Sequence, residues 1–106
     1  MAGRLIQRGE IWRLDLGYHG KVRPVLVISI PFLDNERTLV TYIPRTTQVW
    51  GTRFEVPHNA RNFLPGAFDV QSIGSAPSVS FIQKLANIDQ ATLELVEEKM
   101  RLSMKL

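Results

Sequence analysis

The feature that most limits how this chain can fold is a short apolar run directly after an arginine and a proline. Residues 25–28 are apolar at every position, which is typical of a strand buried on both faces. Pro24 fixes its own φ angle and favours an extended conformation at Arg23. The sequence therefore predicts a buried strand over residues 23–29, with the Arg23 guanidinium held in a fixed position at its start.

Alternating apolar and polar residues predict further strands on either side of this one. The complete set of strands is expected at residues 10–16, 23–29, 37–43, 52–56, 66–73 and 79–86. Pro44 is predicted to end the strand before it, because proline cannot donate a ladder hydrogen bond. Residues 57–65 are predicted to form an exposed loop, in which His58 is assigned no role, and residues 74–77 are predicted to form a turn.

The end of the chain changes to helical spacing. Apolar residues recur three and four positions apart from Leu93 to Met104, which predicts a helix over residues 90–104. Asp89 is the expected N-cap, and Ile88 and Leu93 have the spacing of a hydrophobic staple. These patterns predict a mainly β protein with a C-terminal helix, folded as a small, partly open β-barrel.

Length and composition favour a single domain over residues 1–106. The chain is 44% hydrophobic, which suffices for a globular core, and no apolar run approaches the roughly 18 residues that span a bilayer. It has no cysteine, which excludes disulfides and thiolate metal sites and fits a cytoplasmic location. Two separated histidines and the lack of a carboxylate cluster or glycine-rich phosphate loop predict no metal and no other cofactor.

Positive charge is concentrated in the first part of the chain. Residues 1–61 hold nine Arg and Lys against five Asp and Glu, whereas residues 62–106 hold four against five. Eight of those nine cations are arginine, whose planar guanidinium suits phosphate. This distribution favours an anionic partner, with nucleic acid first, although a solvated basic surface explains the composition equally well.

Three residues are best suited to bind phosphate: Arg23, and the two consecutive threonines Thr46 and Thr47. A guanidinium forms two parallel hydrogen bonds to phosphate oxygens and stays charged. A threonine hydroxyl can donate to a phosphate oxygen on which charge develops. The alternatives are that Arg23 pairs with Asp15 or Glu10 across the sheet, and that the threonines satisfy backbone groups in a turn.

Other residues near these stretches could contribute to the same site. His19 shares a glycine-containing loop with Lys21 and has a pKa suited to acid–base work, or is an exposed bystander. Arg45 and Arg53 add cations to the same edge, or are solvated charges at strand ends. Trp50, in a loop next to a glycine, stacks on a nucleobase or covers the core.

Four stretches resemble the MazF/PemK family of toxin endoribonucleases in their order and spacing. They are GEIWRLDL at 9–16, KVRPVLVIS at 21–29, IPRTTQ at 43–48 followed by FEV at 54–56, and the closing helix at 93–106 with RLS at 101–103. Each motif is short, and together they cover nearly the whole chain.

The resemblance implies an SH3-like barrel that forms a homodimer and cleaves single-stranded RNA, such as mRNA, at short sequences without a metal. The ribose 2′-hydroxyl attacks the adjacent phosphate and leaves a 2′,3′-cyclic phosphate and a 5′-hydroxyl. The catalytic arginine of the family falls on Arg23 and its catalytic threonine on Thr46. Because the pKa of arginine is too high for acid–base work, we expect Arg23 to stabilise charge. The resemblance also implies an antitoxin whose acidic or hydrophobic tail covers the same groove.

We expect the RNA-binding residues to surround Arg23 and Thr46. They are Lys21, His19, Arg45, Thr47, Gln48, Arg53 and Gln71. The chain departs from the family pattern in two places. The loop before Arg23 is shorter and lacks the family's Gly-Ser-Glu-Gln segment. The family's adjacent Asp-Gln pair corresponds here to Asp69 and Gln71 with Val70 between them, which indicates a register change or the loss of one base contact.

The alternative function is a binding protein on the same fold. It would be a CcdB-like gyrase inhibitor or a degenerate nucleic-acid-binding module that does not cut. The presence of both Arg23 and Thr46 argues against this reading, since a pure binder does not need the pair. A generic SH3-like nucleic-acid binder is a third option, and it would bind with salt-sensitive affinity and release no products.

Overall fold

The computed structural model describes residues 6–17 and 21–106. His19, one of the predicted RNA-binding residues, lies outside the described residues.

Seven strands are followed by one helix in the described part of the chain. They are β1 Glu10–Asp15, β2 Val22–Val27, β3 Leu39–Thr46, β4 Glu55–His58, β5 Gly66–Asp69, β6 Gly74–Pro77, β7 Phe81–Asn87 and α1 Gln90–Met104. The antiparallel strands are ordered β4-β5-β3-β2-β1-β7, and β6 also pairs with β3. The predicted mainly β chain with a C-terminal helix is confirmed. The sheet does not close among the described residues, which is compatible with a partly open barrel.

β2 is buried on both faces, as its apolar run predicts. Val25, Leu26 and Val27 are each 0% exposed. Leu26 packs in one hydrophobic cluster with residues of α1, whereas Val25 and Val27 pack in a second cluster with residues of β1, β3 and β7. Successive residues of a strand point to opposite faces, so β2 packs against a different hydrophobic cluster on each face. Arg23 therefore lies near the start of a strand whose second half is buried on both faces.

The helix agrees with its prediction in both extent and capping. α1 spans Gln90–Met104, and the Asp89 carboxylate accepts a hydrogen bond from the Thr92 amide at 3.0 Å. Leu93 and Val96 are its buried residues, and Ile88 packs against the cluster that contains them. This contact is the one expected of a hydrophobic staple.

The prediction that Pro44 ends its strand is wrong. β3 continues through Pro44 to Thr46. Pro44 lies opposite Val25 of β2, whereas Arg45 and Thr46 pair with β5. The missing proline amide is tolerated because Pro44 lies between the part of β3 that pairs with β6, Leu39–Tyr42, and the part that pairs with β5. Thr46 consequently lies at the end of a paired strand, in a more defined position than a loop would give it.

The predicted turn at residues 74–77 is strand β6, which pairs with β3. Its glycine serves close packing rather than turning. Gly74 lies opposite Tyr42, and a Cβ on Gly74 would lie 2.8 Å from the tyrosine hydroxyl. The two neighbouring strands are shorter than predicted, because short 3₁₀ turns occupy Val70–Ser72 and Ser78–Ser80.

Residues 57–65 are only partly the exposed loop that was predicted. Pro57 and His58 belong to β4, where His58 lies opposite Gly66 of β5. His58 is only 7% exposed, because β5 and Phe63 cover its ring. The strand predicted at residues 52–56 begins later, at Glu55.

No helix in the part of the chain that the structure describes is long and apolar enough to cross a membrane.

Candidate functional site

One groove of about 370 Å³ brings together the two residues predicted to bind phosphate. Arg23 lies near the start of β2, and Thr46 is the last residue of β3. These strands are antiparallel and Val25 opposite Pro44 is their last pair, so Arg23 and Thr46 both lie just beyond the paired segment, at the same end of the two strands. The rest of the groove is lined by Lys21, Pro24, Arg45, Thr47 and Gln48.

Arg23 is exposed and does not pair with Asp15 or Glu10 across the sheet, which was the alternative role considered for it. Asp15 accepts a hydrogen bond from the Gly17 amide at 2.8 Å, and Glu10 forms an ion pair with Lys84 at 2.9 Å. Within residues 6–17 and 21–106, Arg23 forms no ion pair with either carboxylate. Its guanidinium is therefore available to an anion in the groove.

The Thr46 hydroxyl oxygen accepts one hydrogen bond from the backbone, and its proton remains free to be donated to a ligand. Its oxygen accepts from the Gln48 amide at 3.0 Å, which is the backbone role anticipated for a threonine in this position. Its distance to the Gln48 carbonyl is 3.5 Å, too long for a strong O–H bond. The hydroxyl proton can therefore turn to a ligand while the oxygen stays anchored. A cation and a hydroxyl donor on one groove can together bind a phosphate and stabilise extra charge on it.

A second groove of about 370 Å³ continues from the first, because Thr46 and Gln48 line both. Gln71 lies on its wall, in the 3₁₀ turn that Asp69 caps by accepting from the Gln71 amide at 3.2 Å. Val70 is 1% exposed, so it points into the core while Asp69 and Gln71 both reach the groove. The additional residue between Asp69 and Gln71 therefore does not prevent both side chains from reaching the same groove.

Glu55 orders the other wall of this second groove and had no role in the sequence prediction. Its carboxylate accepts from the backbone amides of Trp50 at 3.1 Å and Thr52 at 3.0 Å, and also from Gly51. The hydrogen bond from the Trp50 amide is the main cause that lowers the pKa of Glu55. Trp50 itself is 83% exposed, which excludes a role in covering the core. Little in the sequence indicates this arrangement, because an acidic residue after a glycine-containing loop is not a distinctive pattern.

Arg45 is buried, so the interpretation of it as a solvated charge at a strand end is wrong. It is 6% exposed, and its Nε donates to Nδ1 of His58 at 2.8 Å. Its Nη2 donates to the carbonyl oxygens of His58 and Leu64, and the guanidinium lies 5.0 Å from the centre of the Phe63 ring. Although part of Arg45 reaches the first groove, its guanidinium is committed to these internal partners.

Burial lowers the pKa values of both Arg45 and His58. For His58, the positive charge of Arg45 lowers the pKa further, and Asp89 acts in the opposite direction. His58 is a residue that the sequence prediction missed. The signal for its burial lies in its pairing with Gly66, which cannot be recognised before the β4–β5 hairpin is known.

Gly66 allows this buried group to lie directly behind Thr46. A Cβ on Gly66 would lie 2.5 Å from the Thr46 carbonyl oxygen and 2.8 Å from Nη1 of Arg45. Contacts this short cannot be accommodated without movement of the backbone. Glycine is therefore required for the close approach of β5 to the end of β3.

Arg53 differs from the other predicted site residues, because its guanidinium lies 4.6 Å from the centre of the Phe54 ring and it lines neither groove. Lys21, Thr47 and Gln48 do lie with Arg23 and Thr46. Among the residues that the structure describes, no group of three or more His, Asp or Glu is placed to hold a metal ion.

Comparison with known proteins decides the family. The family described as PemK-like, MazF-like toxin of type II toxin-antitoxin system matches residues 7–104. The chain belongs to this PemK/MazF toxin family. Its fold is the one found in solved MazF structures, and Arg23 and Thr46 lie within the matched region.

Three solved structures illustrate the similarity. An endoribonuclease from Mycobacterial species, in complex with its cognate antitoxin, has a TM-score of 0.82 and 21% identity over 95% of this chain and 96% of that one. MazE-MazF from Deinococcus radiodurans has a TM-score of 0.82 and 24% identity over the same shares of the two chains. The Mycobacterium tuberculosis toxin MazF-mt6 has a TM-score of 0.78 and 25% identity over 92% and 97%. Among curated proteins, none matches this PemK/MazF chain significantly.

Proposed function

We propose that this chain is the toxin of a toxin–antitoxin pair and cleaves single-stranded RNA, including mRNA, at short sequences. The observation that carries the proposal is the position of Arg23 and Thr46 on one groove, at the ends of neighbouring strands, in a member of the PemK/MazF family. Similar solved structures include proteins described as endoribonucleases, which supports the same activity here.

In the proposed reaction, the ribose 2′-hydroxyl attacks the adjacent phosphorus and the bond to the 5′-oxygen of the next nucleotide breaks. The 2′-hydroxyl loses its proton to water and the leaving 5′-oxygen takes one up from water, so the products are a 2′,3′-cyclic phosphate and a 5′-hydroxyl. Negative charge grows on the non-bridging oxygens, where the Arg23 guanidinium and the Thr46 hydroxyl would donate hydrogen bonds. The attacking group belongs to the RNA, so the reaction needs no metal-activated water, and we propose that it uses no metal or cofactor. Arg23 is assigned to charge stabilisation, because arginine does not release its proton in a protein.

Binding of the RNA chain is assigned to the remaining groove residues. Lys21 adds a cation beside Arg23, while Thr47 and Gln48 can donate to the backbone or to a base. Gln71 is reached through the second groove. Arg45 supports Thr46 from inside the protein rather than contacting RNA through its guanidinium. RNA contacts of His19 and Arg53 remain predictions.

The proposal includes an antitoxin partner and a homodimer of SH3-like barrels, each a single domain, acting in the cytoplasm. Solved relatives occur in complex with an antitoxin. A third groove of about 460 Å³ is lined by arginine and apolar side chains, including Arg13, Arg61, Phe63 and Leu85. It shares Thr47 with the phosphate groove. An antitoxin segment that carries both acidic and apolar side chains would complement these two grooves.

The test is cleavage of RNA in EDTA by purified protein, with the 5′ ends of the products mapped by sequencing. We expect 5′-hydroxyl ends at a short shared sequence, and no cutting by Arg23→Ala. The matched control is Arg37→Ala, which removes an exposed arginine from outside the grooves. Intact RNA across diverse sequences, in the presence of folded protein, would overturn the proposal. Salt-sensitive binding without products would support the non-cleaving alternative.

A further inference from the structure

Trp50 lies beside the proposed phosphate site without a part in the reaction described above. Its side chain is 83% exposed. It lines the second groove together with Thr46, Gln48 and Gln71. An indole offers two flat faces for stacking as well as one N–H donor. An exposed tryptophan on the wall of a groove is therefore a platform available to a planar ligand.

The backbone beneath Trp50 is held by one carboxylate. Glu55 accepts hydrogen bonds from three consecutive amides, those of Trp50, Gly51 and Thr52. Gly51 has a φ of +76°, in the left-handed region that favours glycine. Charge-assisted hydrogen bonds are the stronger kind, so this arrangement fixes the turn while the indole stays in solvent. An exposed side chain on a fixed backbone is prepared for binding at a low entropic cost.

The second groove also carries the polar groups that a nucleobase edge requires. Side-chain amides such as those of Gln48 and Gln71 both donate and accept hydrogen bonds, as the edges of RNA bases do. The groove measures about 370 Å³ and begins at Thr46, which also lines the phosphate groove. A nucleotide with its phosphate at Thr46 would therefore have its base beside Trp50.

We infer that the second groove is a nucleobase subsite next to the cleaved phosphate, in which Trp50 stacks on an RNA base. Gln48 and Gln71 contact the edge of that base, and Glu55 is a positioning residue that holds the Trp50 turn. The placement of the base relative to the cut rests on the proposed function, whereas stacking on RNA does not.

The first experiment uses an RNA oligonucleotide that spans a mapped cut, and versions with an abasic nucleotide at each position next to the cut. Loss of one stacked base corresponds to roughly a five- to hundred-fold weaker interaction. We expect Trp50→Ala to raise KM by such a factor with a smaller change in kcat, and Trp50→Phe to retain most of the affinity. With one abasic substrate, the KM of wild type should rise by the same factor relative to the intact RNA. The KM of Trp50→Ala should rise little further with that substrate. Val49→Ala, an exposed neighbour outside the groove lining, is the matched control.

The second experiment tests Glu55 as a positioning residue. Glu55→Gln should raise KM in the same direction as Trp50→Ala, with kcat nearly unchanged. In a Trp50→Ala background, Glu55→Gln should add little, because the residue it positions is absent. Equal effects of Glu55→Gln with and without Trp50, or a loss confined to kcat, would overturn the assignment of Glu55.

The outcomes separate this inference from the proposed function. Normal cleavage by wild type and by Trp50→Ala alike would overturn the subsite and leave the nuclease intact. Normal cleavage by Trp50→Ala combined with resistance to an antitoxin would also overturn it, and would assign Trp50 to protein contacts. If wild type leaves RNA uncut, the nuclease fails, and tryptophan fluorescence decides the subsite. A short randomised single-stranded RNA should quench the fluorescence of wild type but not that of Trp50→Phe. The lack of any such difference would overturn the inference.

Discussion

Arg45 Nε donates a hydrogen bond to Nδ1 of His58 at 2.8 Å inside the protein. Because Nδ1 accepts this bond, His58 is neutral and carries its proton on Nε2. The interaction joins β4 to β3 at the residue directly before Thr46. We therefore expect the position of the proposed catalytic threonine to be sensitive to both pH and mutation of this buried pair.

We expect the stability of the protein to fall as pH drops through the titration range of His58. Burial and the charge of Arg45 lower the pKa of folded His58 below its usual 6.5. Near and below that pH the unfolded chain binds more protons than the folded one, so stability rises with pH across this window. The stabilising contribution is complete above about pH 7 and is lost on acidification. Urea unfolding at about pH 7.5 and about pH 5 measures it.

The control for this pH dependence is His58→Gln, whose side-chain oxygen can still accept from Arg45 Nε but does not titrate. The fall in stability between the two pH values should be smaller in this variant than in wild type. Asp89 also affects the pKa of His58, so Asp89→Asn should alter the midpoint of the fall. A wild-type and a His58→Gln protein with the same pH dependence would contradict the prediction.

Gly66→Ala should destabilise the protein and disturb the proposed site. The new Cβ would lie 2.5 Å from the Thr46 carbonyl oxygen, so β5 and the end of β3 must move apart. Forcing an extra carbon into a packed site costs about 1–3 kcal/mol. Urea unfolding should show this loss, and the mapped RNA should be cut more slowly. Leu64→Ala, in which a side chain 73% exposed is removed nearby, should change stability by less than about 0.5 kcal/mol.

Local patterns predicted α1 and β2 correctly because their signals are contained in their own segments. The spacing from Leu93 onwards and the Asp89 cap determine the helix without reference to other elements. The run after Pro24 likewise indicates burial on both faces, whatever packs against it. The groove shared by Arg23 and Thr46 was also predicted in outline, since the family resemblance assigned both residues to one site.

The errors arose where a residue has a non-local reason for its type. Gly74 and Pro44 were interpreted as turn and stop signals, but Gly74 accommodates Tyr42 and Pro44 lies where the partner of β3 changes from β6 to β5. Arg45 and His58 looked like exposed polar residues at the end of a strand and in a loop. Their burial depends on carbonyl groups and on a hairpin that only the folded chain brings together.

Thr46→Val should separate the hydroxyl from the shape of the side chain. Valine keeps the branched form but can neither accept from the Gln48 amide nor donate to a phosphate. Removing one such donor lowers kcat by about 10²–10³-fold in comparable sites. Thr46→Ser keeps the hydroxyl and should retain most of the activity. The measurement is kcat on the mapped oligonucleotide, and equal rates for the valine and serine variants would remove Thr46 from the chemistry.

Arg45→Lys should reveal whether Arg45 acts inside the protein or on RNA. Lysine keeps the charge but cannot donate in the fixed fork that reaches His58 Nδ1 and the two carbonyl oxygens. Each buried acceptor left without a partner costs about 1–3 kcal/mol, so urea unfolding should show a clear loss of stability.

The control for Arg45→Lys is Arg53→Lys, which alters an exposed guanidinium and should leave stability nearly unchanged. The dependence of RNA affinity on salt distinguishes the two roles of Arg45, because each lost phosphate contact lowers its slope by about one. If Arg45 acts inside the protein, the salt dependence of RNA affinity should have the same slope in wild type and in Arg45→Ala. The variant is measured at low temperature or with a stabilising osmolyte, so that it stays folded. A reduced slope in Arg45→Ala, with unchanged stability in Arg45→Lys, would instead place the Arg45 guanidinium on the RNA backbone.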